Sequence, residues 1–589
     1  MDFTRLFDIL DFQAFRYPQK VALAYQKNGQ WQHFSTAQCI ALRQEISVGL
    51  LNMGVQKGDK IALMSESSSP YWNILDVAIL QIGAVVVPLH NNVNAYQLEY
   101  IFSQCAIKYA FVSNESERAR IEELRFSLPN LKRIFLMEED FSTYACAPDA
   151  LDLQQLDALK NSILPTELAT IVYTSGTTAA PKGVMLSHAN IVSNIKSILP
   201  MIPIDATKTV LSFLPLSHIF ERVVTFTYMA AGSSLHYVAD IEQLSETMRS
   251  VRPHYFSSVP RLFEKSYDKI LEKRDEQNLF FQKIINWAIV VGESYDGFNQ
   301  ENIGDILKRK IADLLVYRHW RAALGGRVEG VVVGAAALQP KLGRLFSAAG
   351  IQIREGYGMT ETSPVIAFNR FEPGGVRFGT VGMLLAGVQL RIDAPNENGE
   401  GEILIKGPNV MMGYFEKKEE TAAVLNPDGW FRTGDIGKIV FKKFLQLTDR
   451  KKDIFKTSHG RYVSPIYLEN HLRTSPYVEQ CMVVGANQPF VSALIVPNFV
   501  QLKRWCIENK VHWTGPQYMV INPKVEKFFN KLMFSLNEDL ANHEKIQRFH
   551  LLFEEWTMAG GELTPTLKIR RSIILEKYKT ELGLLYEKK

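Results

Sequence analysis

The fold is decided by one segment of the chain, Tyr173-Thr174-Ser175-Gly176-Thr177-Thr178-Ala179-Ala180-Pro181-Lys182-Gly183. An apolar strand, predicted over residues 169–173, leads into a turn crowded with hydroxyl-bearing and small side chains. Backbone N–H groups and hydroxyls in such a loop can reach phosphate oxygens, and Lys182 adds positive charge. The Walker A spacing GxxxxGK[ST] cannot be laid over the segment. The alternative is a Ser/Thr-rich surface turn, which four hydroxyls and Pro-Lys-Gly directly after an apolar strand disfavour.

Outward from this loop, short apolar segments alternate with amphipathic helical stretches. Strands are predicted at residues 60–64, 84–89, 109–112 and 133–136, and a helix around residues 96–104. Strands that alternate with helices indicate a parallel α/β sheet. We therefore predict an α/β protein with a large N-terminal domain of parallel α/β subdomains.

The texture of the sequence changes along the rest of the chain. Residues 263–323 are charged, nearly free of Gly and Pro, and have helical apolar spacing, which indicates a helical insertion. Short strands with Gly turns follow over about 380–449 and predict a β-rich subdomain. A domain boundary is predicted at Asp449–Arg450. It separates an N-terminal domain, residues 1–449, from a small α+β C-terminal domain, residues 450–589.

Composition excludes several classes of protein. At 589 residues the chain is too long for one core, so about two to four domains or subdomains are expected. The net charge of +4 is mild, and the basic residues are spread out, which argues against nucleic-acid binding. The apolar stretch 77–89 is shorter than the ~20 residues of a membrane span. We predict that it forms a buried helix running into a buried strand.

The cysteines predict the compartment. They are odd in number, far apart and contain no CxxC pair: Cys39, Cys105, Cys146, Cys481 and Cys506. This pattern argues against a disulfide framework or a zinc site and favours a reducing cytoplasm. The N-terminus also lacks the basic-then-apolar run of a signal peptide.

The loop at 173–183 is similar to the phosphate-binding signature of the adenylate-forming superfamily, which includes acyl-CoA synthetases, firefly luciferase and peptide-synthetase adenylation domains. In family members this signature usually has the sequence TSGTTGxPKG. This chain departs from it at Ala179, where Gly is common. The resemblance implies an ATP site in which these residues hold the phosphates: Thr174, Ser175, Gly176, Thr177, Thr178 and Lys182.

Two further segments match the family in order. The segment 214–222, LPLSHIFER, resembles the long-chain form of the segment that lines the acyl site, and it implies that His218 lies near the reacting carboxylate. Taken alone, His218 would be interpreted as a packed core histidine. The strand end Gly334-Ala335-Ala336 resembles the backbone that faces adenine, where many relatives have Ser-Gly-Gly. Taken alone, it would be a plain strand-to-helix turn.

The segment 355–362, EGYGMTET, is nearly as specific as the loop. The resemblance implies that Tyr357 stacks on adenine and that Glu361 binds Mg²⁺ with Thr174, oxygen ligands that suit this cation. It also assigns to the nucleotide site Glu355, Gly356, Gly358 and Thr360. A solvated loop carboxylate is the alternative for Glu361 alone.

Two more residues are assigned to the ribose. Asp435, in the segment 428–437, would accept hydrogen bonds from the ribose hydroxyls, as carboxylates do in other nucleotide sites. Arg450 would contact the same sugar. A turn aspartate beside Gly434 is the alternative for Asp435.

Three lysines complete the assignment. The segment 449–463 resembles the hinge and first strand pair of a mobile C-terminal domain, with Lys452 at the hinge and Lys456 serving thioester formation. Lys568, in the segment 563–571, matches the catalytic lysine of the adenylation step. The alternatives are a solvated charge run and a basic turn. In the segment 449–463, His459 replaces the first glycine of the family's usual Gly-Gly turn.

The resemblance covers essentially the whole chain and implies a long-chain fatty-acid–CoA ligase that uses ATP, Mg²⁺ and coenzyme A. Because the thiol attacks an acyl-adenylate directly, no protein nucleophile is required. Three alternatives stay open: acyl transfer to acyl carrier protein, a fatty acyl-AMP ligase that stops at the adenylate, and a catalytically idle lipid-binding relative. The sequence does not define the oligomeric state, for which a dimer is one option, or a peripheral contact with the inner face of a membrane.

Overall fold

The structure is a computed structural model that describes residues 2–66, 68–174, 181–238, 240–298, 302–451, 453–459, 461–538, 540–558, 560–563 and 569–587. Its first strands are β1 (Leu23–Lys27), β2 (Gln30–Phe34), β3 (Lys60–Ser65), β4 (Val85–His90), β5 (Tyr109–Val112), β6 (Arg133–Leu136), β7 (Leu168–Thr174), β8 (Lys182–Ser187), β9 (Thr209–Ser212), β10 (Ser234–Tyr237), β11 (Tyr255–Ser258), β12 (Gly330–Val333), β13 (Gln352–Gly358) and β14 (Val365–Phe368). The later strands are β15 (Met383–Leu384), β16 (Gln389–Asp393), β17 (Gly401–Lys406), β18 (Gly413–Tyr414), β19 (Phe431–Val440), β20 (Phe444–Arg450), β21 (Phe455–Lys456), β22 (Tyr462–Val463), β23 (Val478–Val484), β24 (Val491–Pro497) and β25 (Ile546–Leu551).

The helices fill the connections between these strands. The first are α1 (Asp8–Arg16), α2 (Thr36–Asn52), α3 (Pro70–Gln81), α4 (Ala95–Gln104), α5 (Glu115–Glu122), α6 (Phe141–Tyr144), α7 (Ala150–Ser162), α8 (His188–Ile198), α9 (Ile219–Ala230), α10 (Leu244–Val251) and α11 (Pro260–Asp275). The rest are α12 (Leu279–Glu293), α13 (Ile303–Ala312), α14 (Arg318–Ala323), α15 (Pro340–Ala348), α16 (Lys418–Val424), α17 (Pro465–Leu472), α18 (Phe499–Glu508), α19 (Pro516–Met519), α20 (Pro523–Leu536), α21 (Arg571–Lys577) and α22 (Lys579–Tyr586). A π-helical turn, Asp313–Tyr317, joins α13 to α14.

One sheet contains the strands that the sequence predicts first. Its order in the described chain is β18-β8-β7-β4-β3-β5-β6. Strand β3 pairs in parallel with both β4 and β5, and β5 pairs in parallel with β6, which confirms the predicted parallel α/β layer. Apolar residues on both faces of β4 are buried, as expected for a strand covered on both sides. The α/β fold class is confirmed.

This sheet departs from the parallel pattern at one edge. Strand β7 pairs with β8 antiparallel, with Thr174 opposite Lys182, so the segment between these two residues connects the two strands of a hairpin. Strand β18 then pairs antiparallel with the other side of β8. Thr174 and Lys182, which flank the connecting segment, are therefore neighbours on adjacent strands of the sheet.

A second sheet has the order β15-β14-β13-β12-β11-β9-β10-β1-β2 in the described residues. Its central strands pair in parallel, from β10 through β9 and β11 to β12 and β13. Antiparallel pairs lie at both edges. At one edge β13 pairs with β14 and β14 with β15, and at the other β1 pairs with β2. The carboxyl ends of parallel strands β12 and β13 therefore lie side by side, where ligands bind in open α/β sheets.

The chain forms two compact units. The first comprises Met1–Leu390, Ile405–Phe431 and Val440–Leu445, and the second comprises Arg391–Leu404, Arg432–Ile439 and Gln446–Lys589. The second unit contains the sheet β23-β24-β25, which packs on buried residues of α17, α18 and α20. Strand β20 continues through Asp449 and Arg450. The domain boundary at these two residues stays a prediction.

The segment Pro260–Ala323 is helical over most of its described length. Asn278 and Asn302 cap α12 and α13, because each side chain accepts a hydrogen bond from a backbone N–H in the first turn. None of the helices in the described part of the chain combines the length and apolar character that crossing a bilayer requires.

Candidate functional site

The ends of the phosphate-type loop are fixed by the hairpin. Thr174 is the last residue of β7 and Lys182 is the first residue of β8, and their Cα positions face each other in the ladder. The Thr174 hydroxyl lies 3.5 Å from the carbonyl oxygen of Lys182, to which it donates. The predicted phosphate residues Ser175, Gly176, Thr177 and Thr178 lie outside the described residues. The two side chains that flank them are both half-buried.

Lys182 and Glu361 are linked by a third residue, Tyr414. The ammonium of Lys182 lies 5.0 Å from the centre of the Tyr414 ring, a cation–π distance. The Tyr414 hydroxyl donates to Oε1 of Glu361 at 3.0 Å. Glu361 itself is buried. The structure therefore brings together the predicted loop lysine and the predicted metal-binding carboxylate, and an aromatic ring joins them.

Tyr414 owes its position to two backbone contacts. Strand β18 pairs with β8, so that Tyr414 faces Val184, two residues after Lys182. Nearby, the N–H of Met411 donates to the backbone oxygen of Glu361 at 2.9 Å. Burial and the neighbouring Glu361 carboxylate raise the pKa of the Tyr414 phenol well above its usual value. The phenol therefore stays protonated and remains a hydrogen-bond donor at neutral pH.

A tight turn presents Glu361. Strand β13 ends at Gly358, where an added Cβ atom would lie 1.8 Å from the carbonyl oxygen of Pro364. Only glycine therefore fits at this position. A 3₁₀ turn, Thr360–Thr362, follows, and the Thr362 hydroxyl lies 2.5 Å from the carbonyl oxygen of Pro364. The turn leaves Thr360 half-buried and directs Glu361 into the buried interior.

Glu355 holds the neighbouring strand end. It faces Val333 across the parallel pair β12–β13, and its Oε1 accepts a hydrogen bond from the N–H of Leu338 at 3.1 Å. Burial raises the pKa of the Glu355 carboxyl to about 7. The side chain thus ties to β13 the turn that begins with Gly334, Ala335 and Ala336, the residues predicted to face adenine. Tyr357, two residues further along β13, is also largely buried.

The strand end has a constrained backbone. A Cβ atom at Gly334 would lie 3.2 Å from the ring of Phe220, so a larger residue would press on that ring. Ala335 has φ +68°, in the left-handed region that residues with a Cβ atom rarely adopt. Ala336, which follows, is exposed. The close approach of Phe220 favours a small residue at position 334, and the positive φ disfavours a bulky side chain at position 335.

His218 begins helix α9. Its Nδ1 accepts a hydrogen bond from the N–H of Phe220 at 3.2 Å, which makes it the N-cap residue. A neutral His218 therefore carries its proton on Nε2. Its ring centre lies 6.3 Å from that of His90, and Nδ1 of His90 lies 3.0 Å from the Ser217 hydroxyl. Burial lowers the pKa of His90 to about 4, so this second ring is neutral.

Two charged residues of the same motif support the structure. Arg222 forms bidentate contacts of 2.6 and 2.8 Å with Asp76 of α3, and it donates to Thr170 of β7 at 2.8 Å. Glu221 accepts hydrogen bonds from the hydroxyls of Ser212 and Ser257. These contacts lock α9 against both large sheets, and in doing so they fix the helix that His218 begins.

In the second unit, the two predicted ribose residues form a pair. Nε of Arg450 lies 3.0 Å from Oδ1 of Asp435. Asp435 is buried within β19, and its N–H donates to the Thr433 hydroxyl at 3.1 Å. Arg450 lies at the end of β20 with about half of its side chain exposed. The structure therefore brings these two residues together.

Of the three predicted lysines in the C-terminal part of the chain, Lys456 lies within the described residues. Lys456 lies in β21, opposite Tyr462 of β22, with its ammonium 4.5 Å from the Tyr462 ring centre. Its side chain is exposed. Lys452 and Lys568 lie outside the described residues.

A self-contained metal cage is absent from the part of the chain that the structure describes. No group of three or more His, Cys, Asp or Glu side chains there could hold a metal ion. Thr174 and Glu361 offer oxygen donors, which fit a hard cation that shares its coordination with phosphates and water. The donor set fits Mg²⁺ brought by a nucleotide.

Sequence reasoning missed Tyr414 and His90. Tyr414 has no local signal, because its partner Glu361 is far away in sequence. His90 could have been found, since it ends the buried strand β4, and polar residues at the carboxyl ends of parallel strands often line sites.

Comparisons with known proteins extend these observations. The sequence model of a family described as AMP-binding enzyme matches residues 10–415, and that of an AMP-binding enzyme C-terminal domain matches residues 452–589. Both matches together cover most of the chain.

Individual proteins are similar over nearly the whole length. The long-chain-fatty-acid–CoA ligase FadD15 of Mycobacterium bovis is 32% identical over 583 residues, which cover 96% of this chain and 94% of that protein. Long-chain-fatty-acid–CoA ligase 6 of Mus musculus is 31% identical over 96% of this chain and 84% of that protein. The crystal structure of ATP-bound MatB from Rhodopseudomonas palustris has a TM-score of 0.71 at 22% identity, over 98% of this chain and 99% of that one. At that identity the likeness concerns the fold.

Proposed function

Because the chain belongs to the family of AMP-binding enzymes, we propose that it activates a long-chain fatty acid with ATP and transfers the acyl group to coenzyme A. The observation that carries the activation step is the cluster of Lys182, Tyr414 and Glu361 at the end of the hairpin loop. It combines a cation for phosphate with an oxygen donor for a metal. The long-chain substrate is supported by the near full-length similarity to proteins named as ligases of that class.

In the first step, a carboxylate oxygen of the fatty acid attacks the α-phosphorus of ATP. The new P–O bond forms as the bond from that phosphorus to pyrophosphate breaks, which gives acyl-AMP and pyrophosphate. Both reactants are anions, so the site must align them and offset their repulsion. Lys182 and the hydroxyls of Thr174, Ser175, Thr177 and Thr178 would hold the phosphates, and Lys568 would reach the carboxylate and the α-phosphate.

Thr174 and Glu361 would hold Mg²⁺. When bound, the ion neutralises charge on the phosphate oxygens. The contribution of Tyr414 is positional, because its hydroxyl fixes Oε1 of Glu361 and its ring faces the ammonium of Lys182.

The nucleoside would lie against the ends of strands β12 and β13. The backbone of Gly334, Ala335 and Ala336 would face adenine, with Tyr357 stacked on the base, and Glu355 would keep this strand end in place. The other contributors would be Gly356, Gly358 and Thr360. Asp435 and Arg450 would bind the ribose, which is supported by their direct pairing. His218 would lie near the reacting carboxylate.

In the second step, the sulfur of coenzyme A attacks the acyl carbon of the adenylate. The bond from that carbon to the AMP oxygen breaks, AMP leaves, and the thiol proton passes to solvent. We propose that the C-terminal domain, residues 450–589, rotates about Lys452 between the steps. The rotation would withdraw Lys568 and bring in the face that carries Lys456, a domain rearrangement that gates the second step.

Acyl carrier protein is the second candidate acceptor, since the hinge segment supports a full cycle without naming the thiol. We place the reaction in the cytoplasm, with a peripheral contact to the membrane that holds long-chain substrates. The cysteines are odd in number and far apart in sequence, which supports a reducing compartment.

The test is a mass-spectrometric assay of products from purified protein, ATP, Mg²⁺ and palmitate. It is run with coenzyme A, with acyl carrier protein, and with neither. The proposal predicts palmitoyl-CoA, AMP and pyrophosphate in the first reaction. Thioester on the carrier protein alone would make that protein the acceptor. Palmitoyl-AMP without any thioester would indicate a ligase that stops at the adenylate. Absence of adenylate from every acid tested would indicate an idle lipid-binding relative.

A further inference from the structure

Helix α13 and the π-helical turn after it carry an apolar face that is open to solvent. Ile303, Leu307 and Ile311 are 86%, 58% and 43% exposed, and Leu314 and Leu315 of the turn are 59% and 46% exposed. The spacing of four residues puts the first three on one side of the helix. Soluble proteins seldom leave a continuous row of this kind uncovered without a partner.

This face is not the one that anchors the helix. Ala312, Val316 and Tyr317 point into a small core shared with Ala288 of α12 and Ala349. The Tyr317 hydroxyl donates to the carbonyl oxygen of Ala288 at 2.6 Å, which fastens the turn to α12. The segment therefore has two apolar faces, and packing within the first unit uses only the buried one.

Helix α12, which shares the buried core with the turn, exposes large side chains of its own. Leu279, Phe280 and Phe281 in its first turn are 76%, 69% and 50% exposed, and Val290 is 64% exposed. The rings of Phe280 and Phe281 contact each other edge to face, with centroids 5.8 Å apart. We name these exposed residues, together with the row on α13, the α12–α13 apolar face.

The α13 side of this face carries more basic than acidic residues, although Lys308 pairs with Asp305 and Arg321 pairs with Asp313. Over residues 303–323 the chain has five basic residues and two acidic ones, a net charge of +3 with His319 neutral. Lys308, Lys310 and Arg318 are exposed. Lysine and arginine stems can lie along apolar surface while their charged ends remain in a polar layer. Like charges would repel each other if two copies of this face met.

We propose that the α12–α13 apolar face docks on a bilayer that contains anionic phospholipids. Aromatic and aliphatic side chains beside lysine and arginine are the composition of surfaces that lie in the headgroup region. Anionic headgroups attract the basic residues, and the acyl boundary accepts the exposed apolar row. The inference specifies the membrane contact proposed above and rests on that part of the proposed function, but it is tested without turnover.

The test is cosedimentation of the full chain with vesicles of phosphatidylcholine and phosphatidylglycerol, compared with phosphatidylcholine alone. We expect the wild type to bind the mixed vesicles more strongly and to lose binding at high salt. The double variant Leu307→Glu and Ile311→Glu is expected to bind at least about tenfold more weakly. The matched control, Phe126→Glu with Leu151→Glu, adds the same charge at exposed apolar residues elsewhere and should bind as the wild type does.

Hydrogen–deuterium exchange of the wild type supplies a readout that needs no variant. Vesicles should protect residues 279–315 more than the rest of the chain. The proposal is overturned if the wild type ignores anionic vesicles, if protection appears only elsewhere, or if both double variants bind equally. It is also overturned if Leu307→Glu with Ile311→Glu changes only the oligomeric state in light scattering, which would make a second copy the occupant. These measurements use no ATP or fatty acid, so a failed ligase assay leaves their outcome intact.

Discussion

Tyr414 contacts both charged groups of the loop cluster, and its two contacts can be removed separately. Tyr414→Phe removes the hydroxyl that donates to Glu361 and keeps the ring beside Lys182. A hydrogen bond to a charged group contributes about 1.5–3 kcal/mol. We therefore expect the Mg²⁺ concentration for half-maximal adenylation to rise about tenfold, measured by ATP–pyrophosphate exchange.

The control for this change is Tyr96→Phe, which removes a hydroxyl from an exposed tyrosine. It should leave the Mg²⁺ dependence unchanged. If Tyr414→Phe keeps the wild-type Mg²⁺ dependence, the proposed role of the Tyr414 hydroxyl in positioning Glu361 is contradicted.

Ala335 tests the backbone of the strand end. A residue with a Cβ atom in the left-handed region costs about 1–2 kcal/mol, whereas glycine loses about 0.5–1 kcal/mol of entropy on folding. Ala335→Gly should therefore raise the free energy of unfolding by up to about 1 kcal/mol in urea denaturation. Ala336→Gly, at a position without positive φ, should lower it by about 0.5–1 kcal/mol. Equal effects of the two substitutions would contradict the strain at Ala335.

Residue identities in the local motifs were accessible from sequence, and their partners were not. Lys182 and Glu361 stand in segments whose order of residues is specific. Their link through Tyr414 depends on the pairing of β18 with β8, which joins residues more than 200 positions apart. Nothing in the Gly413-Tyr414 pair indicates that register.

Helix α9 is held by buried charged side chains, so it is sensitive to the loss of one of them. Arg222→Met would leave Asp76 charged and unpaired in the interior, at a cost of about 3–5 kcal/mol. The double variant Arg222→Met with Asp76→Leu should recover much of this loss, because no buried charge is left over. Guanidinium denaturation of the three proteins measures both values.

An exposed pair provides the comparison. Lys57→Met removes the partner of Glu167, and surface pairs contribute about 0–1 kcal/mol. A loss at Arg222 as small as that at Lys57 would contradict the anchoring role of the buried pair.

Glu221, at the first turn of the same helix, predicts a pH dependence of stability. Burial raises the pKa of this carboxyl from 4.5 to about 7. The folded protein therefore binds this proton more tightly than the unfolded chain does. The resulting stabilisation is complete below pH 4.5 and is lost as the pH rises to about 7.

Glu221→Gln stays neutral at every pH and removes this dependence. The variant should gain up to about 3 kcal/mol relative to the wild type between pH 4.5 and pH 7.5, because one pKa unit corresponds to about 1.4 kcal/mol. Glu355 titrates in the same range in both proteins, so only the difference between the two curves reports on Glu221. Parallel curves would contradict the assignment.

Elements could be predicted where the apolar pattern is local. Strands β3 to β6 and helix α4 agree with their predictions to within about two residues, since each is bounded by turn residues. The antiparallel hairpin β7–β8 was not predicted. The sequence of a strand, a loop and a second apolar run does not indicate whether the second strand runs parallel or antiparallel to the first. The predicted boundary at Asp449–Arg450 falls within β20, a strand whose polar end resembles a linker in sequence.

At the scale of the whole molecule, the proposed rotation assigns one lysine to each step. Lys568→Ala is expected to lose adenylation by about a hundredfold or more while it still converts supplied palmitoyl-AMP to palmitoyl-CoA. Lys456→Ala is expected to do the reverse. Rapid-quench assays of the two half-reactions measure this, with Lys577→Ala as a control from the same unit. Equal loss of both steps in both variants would contradict the division of labour.

The central claim is that the fatty acid is activated as an acyl-adenylate and then transferred to a thiol. The most direct measurement starts with palmitate that carries ¹⁸O in both carboxylate positions, and follows the label by mass spectrometry after turnover with ATP, Mg²⁺ and coenzyme A. If a carboxylate oxygen attacks the α-phosphorus, one heavy oxygen leaves with AMP and the other stays in palmitoyl-CoA. Unlabelled AMP, or label in ADP or inorganic phosphate, would contradict the account.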